Sequence, residues 1–168
     1  MSDIPMKRAY ILDACCGPRS MWFEKRHTGT VYSDTRRVEE VVWQRGEDSR
    51  KLIVNPDIIA DFRELPFADG EFRLVVFDPP HLVRPAGHAP GWLGKRYGVL
   101  SRDTWQVDLR QGFSECLRVL SADGFLVFKW SESSVKLPDV MELCSGRPLF
   151  GSRAGNSFWV LIEKAGSE

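Results

Sequence analysis

The tetrad Asp78-Pro79-Pro80-His81 follows the apolar run Leu74-Val75-Val76-Phe77. Two prolines after a buried strand hold the backbone extended. They leave two acceptors in a rigid frame: the Asp78 carboxylate and a proline carbonyl. An exocyclic amino group carries two N–H bonds. Holding both turns its lone pair out of conjugation and towards an electrophile. Alignment of this kind is a recognised source of barrier lowering.

Three further aspartates end apolar runs. Ala9-Tyr10-Ile11-Leu12 stops at Asp13, Thr30-Val31-Tyr32-Ser33 at Asp34, and Ile58-Ile59-Ala60 at Asp61. Short runs of β-branched and aromatic residues read as strands of a parallel sheet, buried on both faces. Ligands of such sheets bind outside the carboxyl ends of the strands. The segment Asp13-Ala14-Cys15-Cys16-Gly17 has a glycine turn, and Asp34 follows Asp13 by 21 positions. That is the spacing of a nucleotide site, in which the turn admits the ligand and the second acid accepts ribose hydroxyls. Arg19 stands where a second glycine would sit, which disfavours a pyrophosphate cofactor. Asp61 is placed to accept from an adenine amino group, with Phe62 or Leu65 against the ring. Any one aspartate alone reads equally as a turn or cap residue. Three at three strand ends favour a ligand.

The elements that position these groups follow from the pattern. Phe125-Leu126-Val127-Phe128 and Phe158-Trp159-Val160-Leu161-Ile162 give two more strands. Thr104 to Leu120 reads as a helix with Val107, Phe113, Leu117 and Leu120 on one face and Asp103 or Thr104 as cap. It stops at Ser121-Ala122-Asp123-Gly124. A short helix is expected over Ser20 to Arg26. Val38 to Val54 reads as an inserted hairpin, with a helix as the alternative. Pro148 to Glu163 reads as a terminal hairpin with Ala154-Gly155-Asn156 at its tip. Pro79 to Gly98 reads as a long loop.

Composition bounds the rest. The chain has 168 residues, enough for one domain spanning 1–168. Its 23 basic and 23 acidic residues cancel. That excludes a protein basic over its whole surface, though not a local basic patch. The four cysteines lack zinc-ligand spacing, and no metal is expected. They read as reduced thiols of a cytoplasmic protein. The N-terminal apolar run is cut by Asp13 and does not read as a signal peptide. No stretch has the length of a membrane span. Within residues 82–102, Arg84, His88, Lys95, Arg96 and Arg102 occur with Trp92 and Tyr97 and no acid. Basic residues interleaved with aromatics suit phosphate contact and base stacking. A solvated loop packing its aromatics on the core is the alternative. Lys129, Trp130 and Glu132 close the fifth strand and are expected to face the same cleft.

The stretches LDACCGPRSMWF and VVFDPPH resemble the first motif and the D-P-P-aromatic motif of class I methyltransferases dependent on S-adenosylmethionine (SAM). With PDIIADFRELPF, GWLGKRYG, FKWSE and PLFG, the pattern is similar to small methyltransferases of phage and prophage genomes. The resemblance covers nearly the whole chain. It implies a Rossmann-like α/β three-layer sandwich, mostly parallel with an antiparallel C-terminal strand. It implies SAM at Asp13, Ala14, Cys15, Gly17, Asp34, Asp61 and Phe62, with Asp78, Pro79, Pro80 and His81 as the catalytic turn. The acceptor is expected at Trp92, Lys95, Arg96, Tyr97 and Lys129. In the amino-methyltransferase branch the residue after the prolines is commonly Tyr, Phe or Trp. Here it is His81, whose imidazole stacks or hydrogen-bonds. A separate target-recognition domain is not expected within these 168 residues. Expected partners are nucleic acid through loop 82–102, or a recognition subunit. N-methylation of a nucleobase is the leading reading. A protein side-chain amide or small-molecule acceptor is the rival, and a catalytically idle SAM-binding module is the third.

Overall fold

The computed structural model describes residues 9–89 and 91–164. Residues 1–8, which open the stretch read for a signal peptide, lie outside the described residues. So do residue 90 of the long loop and residues 165–168. In chain order the first elements are β1 (Ile11–Asp13), β2 (Thr30–Asp34), β3 (Val38–Arg45), β4 (Asp48–Val54), β5 (Ile58–Ile59), β6 (Phe72–Phe77) and β7 (Val83–Arg84). There follow α1 (Gly91–Tyr97), β8 (Leu100–Ser101), α2 (Trp105–Val119), β9 (Leu120–Ser131), α3 (Leu137–Met141), β10 (Arg147–Ala154) and β11 (Ser157–Glu163).

Seven strands form the central sheet, in the order β10-β11-β9-β6-β1-β2-β5. From β5 to β9 neighbouring strands are parallel. β11 pairs antiparallel with β9, and β10 with β11. This is the expected mostly parallel α/β sheet with an antiparallel terminal strand. Leu12, Tyr32, Val75 and Phe77 are almost wholly buried, as strands in the middle of a parallel sheet require. The chain steps outward from β1 to β2 and β5, then returns to β6 on the other side of β1. A crevice opens at such a reversal.

The helical layers are thinner than expected. α2 buries Leu109, Gly112, Phe113, Cys116 and Leu117, one stripe at helical spacing, and packs on β6 and β9. Val107, placed on this face from sequence, is instead 61% exposed. Thr104 is the N-cap residue, but its hydroxyl donates to Asp108 Oδ2 at 2.7 Å and makes no capping bond. The expected turn at Ser121–Gly124 lies inside β9. The register there jumps from Phe72↔Leu120 to Leu74↔Phe125 and absorbs it as an irregularity. No helix forms over Ser20 to Arg26, where the chain makes successive turns. The left-handed backbone at Arg19 and the pull of Asp13 on Trp22, described below, disfavour one. α3 was not foreseen from sequence; its Val140 is fully buried in the core.

The expected hairpins are present. β3 and β4 pair antiparallel within the β2–β5 crossover, and β10 and β11 close the chain. The long loop is not structureless. β7 and β8 pair in parallel, and α1 lies between them. Among the described residues no helix is long and apolar enough to cross a membrane. All four cysteines are free.

Gly112 marks where α2 presses hardest on the sheet. A Cβ there would meet Phe62 Cδ2 at 2.6 Å and Phe77 Cζ at 2.7 Å. In an open helix, alanine would gain about 1 kcal/mol over glycine. Here Gly112→Ala should instead destabilise by about 1–3 kcal/mol through overpacking. Urea unfolding checks this; a raised midpoint would mean that the aromatic pair yields.

Candidate functional site

β1 ends in a loop that bridges its two neighbours. Ala14 N donates to Val76 O of β6 at 2.9 Å, and Cys16 N to Ser33 O of β2 at 2.8 Å. The loop then turns at Gly17, with φ +48° and open space where a Cβ would stand. Gly17 N donates to Asp34 Oδ2 at 3.0 Å, joining the turn to the end of β2. Arg19 takes the glycine-like conformation its position demands, with φ +53°. Its guanidinium offsets that strain by donating to Lys25 O and Asn55 O and lying 3.6 Å from the Tyr32 ring centre.

The turn opens on a cleft of about 640 Å³ at the carboxyl edge of the sheet. Of the residues expected for a cofactor, Ala14, Cys15, Gly17, Asp34, Asp61 and Phe62 line it. Asp78, Pro79, Pro80 and His81 line it from β6, with Arg96, Tyr97 and Lys129. Three expected residues do not. Asp13 is fully buried behind the loop. Its Oδ2 accepts from Trp22 Nε1 at 2.7 Å and its Oδ1 from Cys15 N at 3.3 Å, so in this structure it positions the loop. Trp92 is 41% exposed, and it and Lys95 lie off the cleft wall. The Lys95 ammonium pairs with Glu40 of β3 at 3.4 Å.

Each carboxylate on the cleft wall is matched by a cation. Arg36 folds back on Asp34 with Nε at 3.0 Å from Oδ1. Arg63 does the same on Asp61, with Nη2 at 2.6 Å from Oδ2, and reaches Asp108 Oδ1 at 2.9 Å. Arg63 holds the Asp61 carboxyl below the usual carboxylate range. Lys129 Nζ donates to Asp78 Oδ2 at 2.7 Å. Burial pushes the Asp78 carboxyl up, and the Lys129 charge opposes that shift. Among the described residues Asp78 Oδ1 has no hydrogen bond. Burial, then the Lys129 charge, lower the His81 pKa. The His81 ring lies 5.3 Å from that of Tyr97, which joins the Asp78–His81 turn to α1.

Sequence reasoning missed Arg36, Arg63 and Trp159. The two arginines leave a signal, the repeat Asp34-Thr35-Arg36 and Asp61-Phe62-Arg63. Trp159 enters through pairing with Lys129 across β11 and β9, and the Lys129 ammonium sits 5.7 Å from its ring centre. No local pattern announces that. Trp130, expected at the cleft, is fully buried, with Nε1 donating to Val135 O. Glu132 instead accepts from Leu137 N at the start of α3.

No protein-family model matches the sequence, and no curated protein matches it. Solved structures do match in fold. The PH0226 protein of Pyrococcus horikoshii aligns with a TM-score of 0.57 and 18% identity, over 94% of this chain and 84% of that one. A TehB-like SAM-dependent methyltransferase of Corynebacterium glutamicum gives 0.54 and 15%, over 94% and 82%. The 1,6-didemethyltoxoflavin-N1-methyltransferase of Burkholderia thailandensis, with its acceptor and S-adenosylhomocysteine bound, gives 0.55 and 12%, over 95% and 72%. The chain thus has the fold of the SAM-dependent methyltransferases.

Asp13 provides a test of the loop. Burial raises its pKa from 3.8 to about 7, against the opposing bonds from Trp22 and Cys15. Below 3.8 the folded and unfolded chains both hold the proton; between there and about 7 mainly the folded chain does. Stability contributed by this group therefore falls as pH rises through that window. Relative to wild type, Asp13→Asn should gain about 1–3 kcal/mol between pH 5 and pH 8. Urea unfolding at the two pH values measures it. An unchanged difference would show that the carboxyl titrates normally.

Proposed function

We propose that the chain is a SAM-dependent methyltransferase acting on an exocyclic amino nitrogen of a nucleobase. One observation carries this reading: the Asp78-Pro79-Pro80-His81 turn and the Gly17 turn line the same cleft, on adjacent strands. The residues present fit the cofactor. Gly17 leaves its cradle open, and Asp34, Asp61 and Phe62 line the same cleft. Arg96 Nε, buried without a partner among the described residues, is a donor left over at the same wall. The bound S-adenosylhomocysteine and heterocyclic acceptor of the Burkholderia enzyme support a cleft of this kind.

When bound, SAM supplies an electrophilic methyl group on a sulfonium. The chain's own residues hold and orient the acceptor. Asp78 Oδ1 and the Pro79 carbonyl accept the two amino N–H bonds and turn the nitrogen lone pair towards the methyl. Lys129 holds Asp78 Oδ2, and its charge opposes the upward shift that burial gives the carboxyl. The surplus proton of the methylated nitrogen passes to Asp78 Oδ1. His81, packed by Tyr97, stacks on the base or hydrogen-bonds to it.

A second reading, a small heterocyclic acceptor, has its own support. In the expected basic loop, Lys95 lies off the cleft wall and is paired with Glu40. Tritiated methyl transfer to bulk RNA, DNA, protein and a small-molecule extract separates the readings. Label in nucleic acid is expected; label in the small-molecule fraction alone would favour the second reading, and label nowhere would leave a SAM-binding module.

Asp78→Ala should leave SAM affinity within about threefold and lower turnover about a hundredfold or more. An unchanged single-turnover rate would remove Asp78 from the acceptor site. Lys129→Met removes the charge that opposes the upward shift of Asp78. The acid limb of the kcat/KM profile should therefore move to higher pH; a limb that stays in place would exclude Asp78 as the titrating group.

A further inference from the structure

Asp34 has no acceptor capacity left. An ionised carboxylate offers about four lone-pair sites. Gly17 N and Arg36 Nη2 occupy Oδ2 at 3.0 and 3.3 Å. Arg36 N and Arg36 Nε occupy Oδ1 at 2.9 and 3.0 Å. Two of these donors are backbone groups held by the turns themselves. The other two belong to one guanidinium and engage one oxygen each. A ribose presents two adjacent hydroxyls, which also donate one to each oxygen. The Arg36 side chain is the group such a diol displaces.

The same guanidinium has a further engagement. Its Nη1 donates to Lys95 O at 2.9 Å. Lys95 lies in the last turn of α1, where carbonyls lack helical partners and a cation is favourable. α1 has seven residues, too few to persist without tertiary ties. Its other ties among the described residues include Lys95 to Glu40, Arg96 to Ser20 Oγ at 3.3 Å, and the ring contact of Tyr97 with His81. The Arg96 and Tyr97 side chains wall the cleft from this helix, so α1 is its lid. Arg63 makes the same fold-back on Asp61 but continues to Asp108 of α2, not to the lid. The link between a cleft carboxylate and the lid therefore runs through Arg36.

We propose that Arg36 is a positioning residue that ties the lid helix α1 to Asp34, and that a ribose diol arriving at Asp34 releases the tie. The proposal rests on reading the cleft as a SAM site. Cofactor entry then loosens the lid ahead of the acceptor. The order of binding is built into one side chain, and the acceptor reaches Asp78 past a helix freed by the first ligand.

Backbone hydrogen exchange of residues 91–98 in the full chain tests this, with S-adenosylhomocysteine as probe. In the wild type, saturating probe should speed exchange there about three- to tenfold, the scale of one net hydrogen bond. In Arg36→Ala the lid should exchange at the faster rate without probe and show no further change. Arg36→Lys, whose single ammonium cannot span both Asp34 oxygens and the Lys95 carbonyl, should lie between. It also serves if the alanine variant fails to fold. Equal lid exchange in ligand-free wild type and a folded variant would overturn the tie, whatever binds the cleft. Lid exchange that stays the same or slows in probe-saturated wild type would overturn the release. Absence of any probe binding to the wild type would overturn the SAM reading and the release with it, while the ligand-free comparison still decides the tie.

Discussion

Acidic side chains placed along one edge of a sheet are costly to bury together, and each needs a donor or a cation of its own. Much of this structure meets that constraint. Asp13 is held by the Trp22 indole and its own loop, which bends residues 14–29 into turns where a helix was expected. Asp34 is held by Gly17 and Arg36, which fix the loop above β1 and draw in α1. Asp61 is held by Arg63, which continues to Asp108 and locks α2 against the cleft. Asp78 is held by Lys129, joining β6 to β9 across their carboxyl ends. The site and its supports are therefore one network.

The same arrangement explains a small chain with a sparse helical layer. The long buried helix, α2, supplies the apolar stripe that covers β6 and β9. On the other side of β1 the crossover carries the β3–β4 hairpin in place of a helix, and Glu40 on that hairpin meets Lys95 on the lid. The cleft is thus roofed by pieces of three connections, and polar ties hold the roof. Polar ties can be exchanged for ligand bonds at small net cost, which an apolar lid interface would not allow.

The strands were legible because apolar runs ending in aspartate are unambiguous, and most of the cleft wall follows from their carboxyl ends. The β3–β4 hairpin was legible from Gly46-Glu47-Asp48 between apolar segments, and the terminal hairpin from Gly155-Asn156. What escaped depends on pairing across distance. Asp13 read as a ligand contact because its spacing to Asp34 is right; only the fold shows Trp22 closing over it. The lid read as loop because Gly91 and Gly98 punctuate a segment too short to show helical periodicity. Lys95 and Trp92 read as substrate contacts from composition, yet Glu40, 55 positions away, takes the Lys95 charge. Arg36 and Arg63 were visible as a repeated Asp-x-Arg, but the consequence of saturating a carboxylate appears only in three dimensions.

Calorimetric titration of SAM into the wild-type chain measures most directly whether the edge of β1, β2 and β5 holds that cofactor. One site per chain with a dissociation constant in the micromolar range, about −7 to −8 kcal/mol, is expected. A folded protein that binds neither SAM nor S-adenosylhomocysteine at millimolar concentration would contradict it.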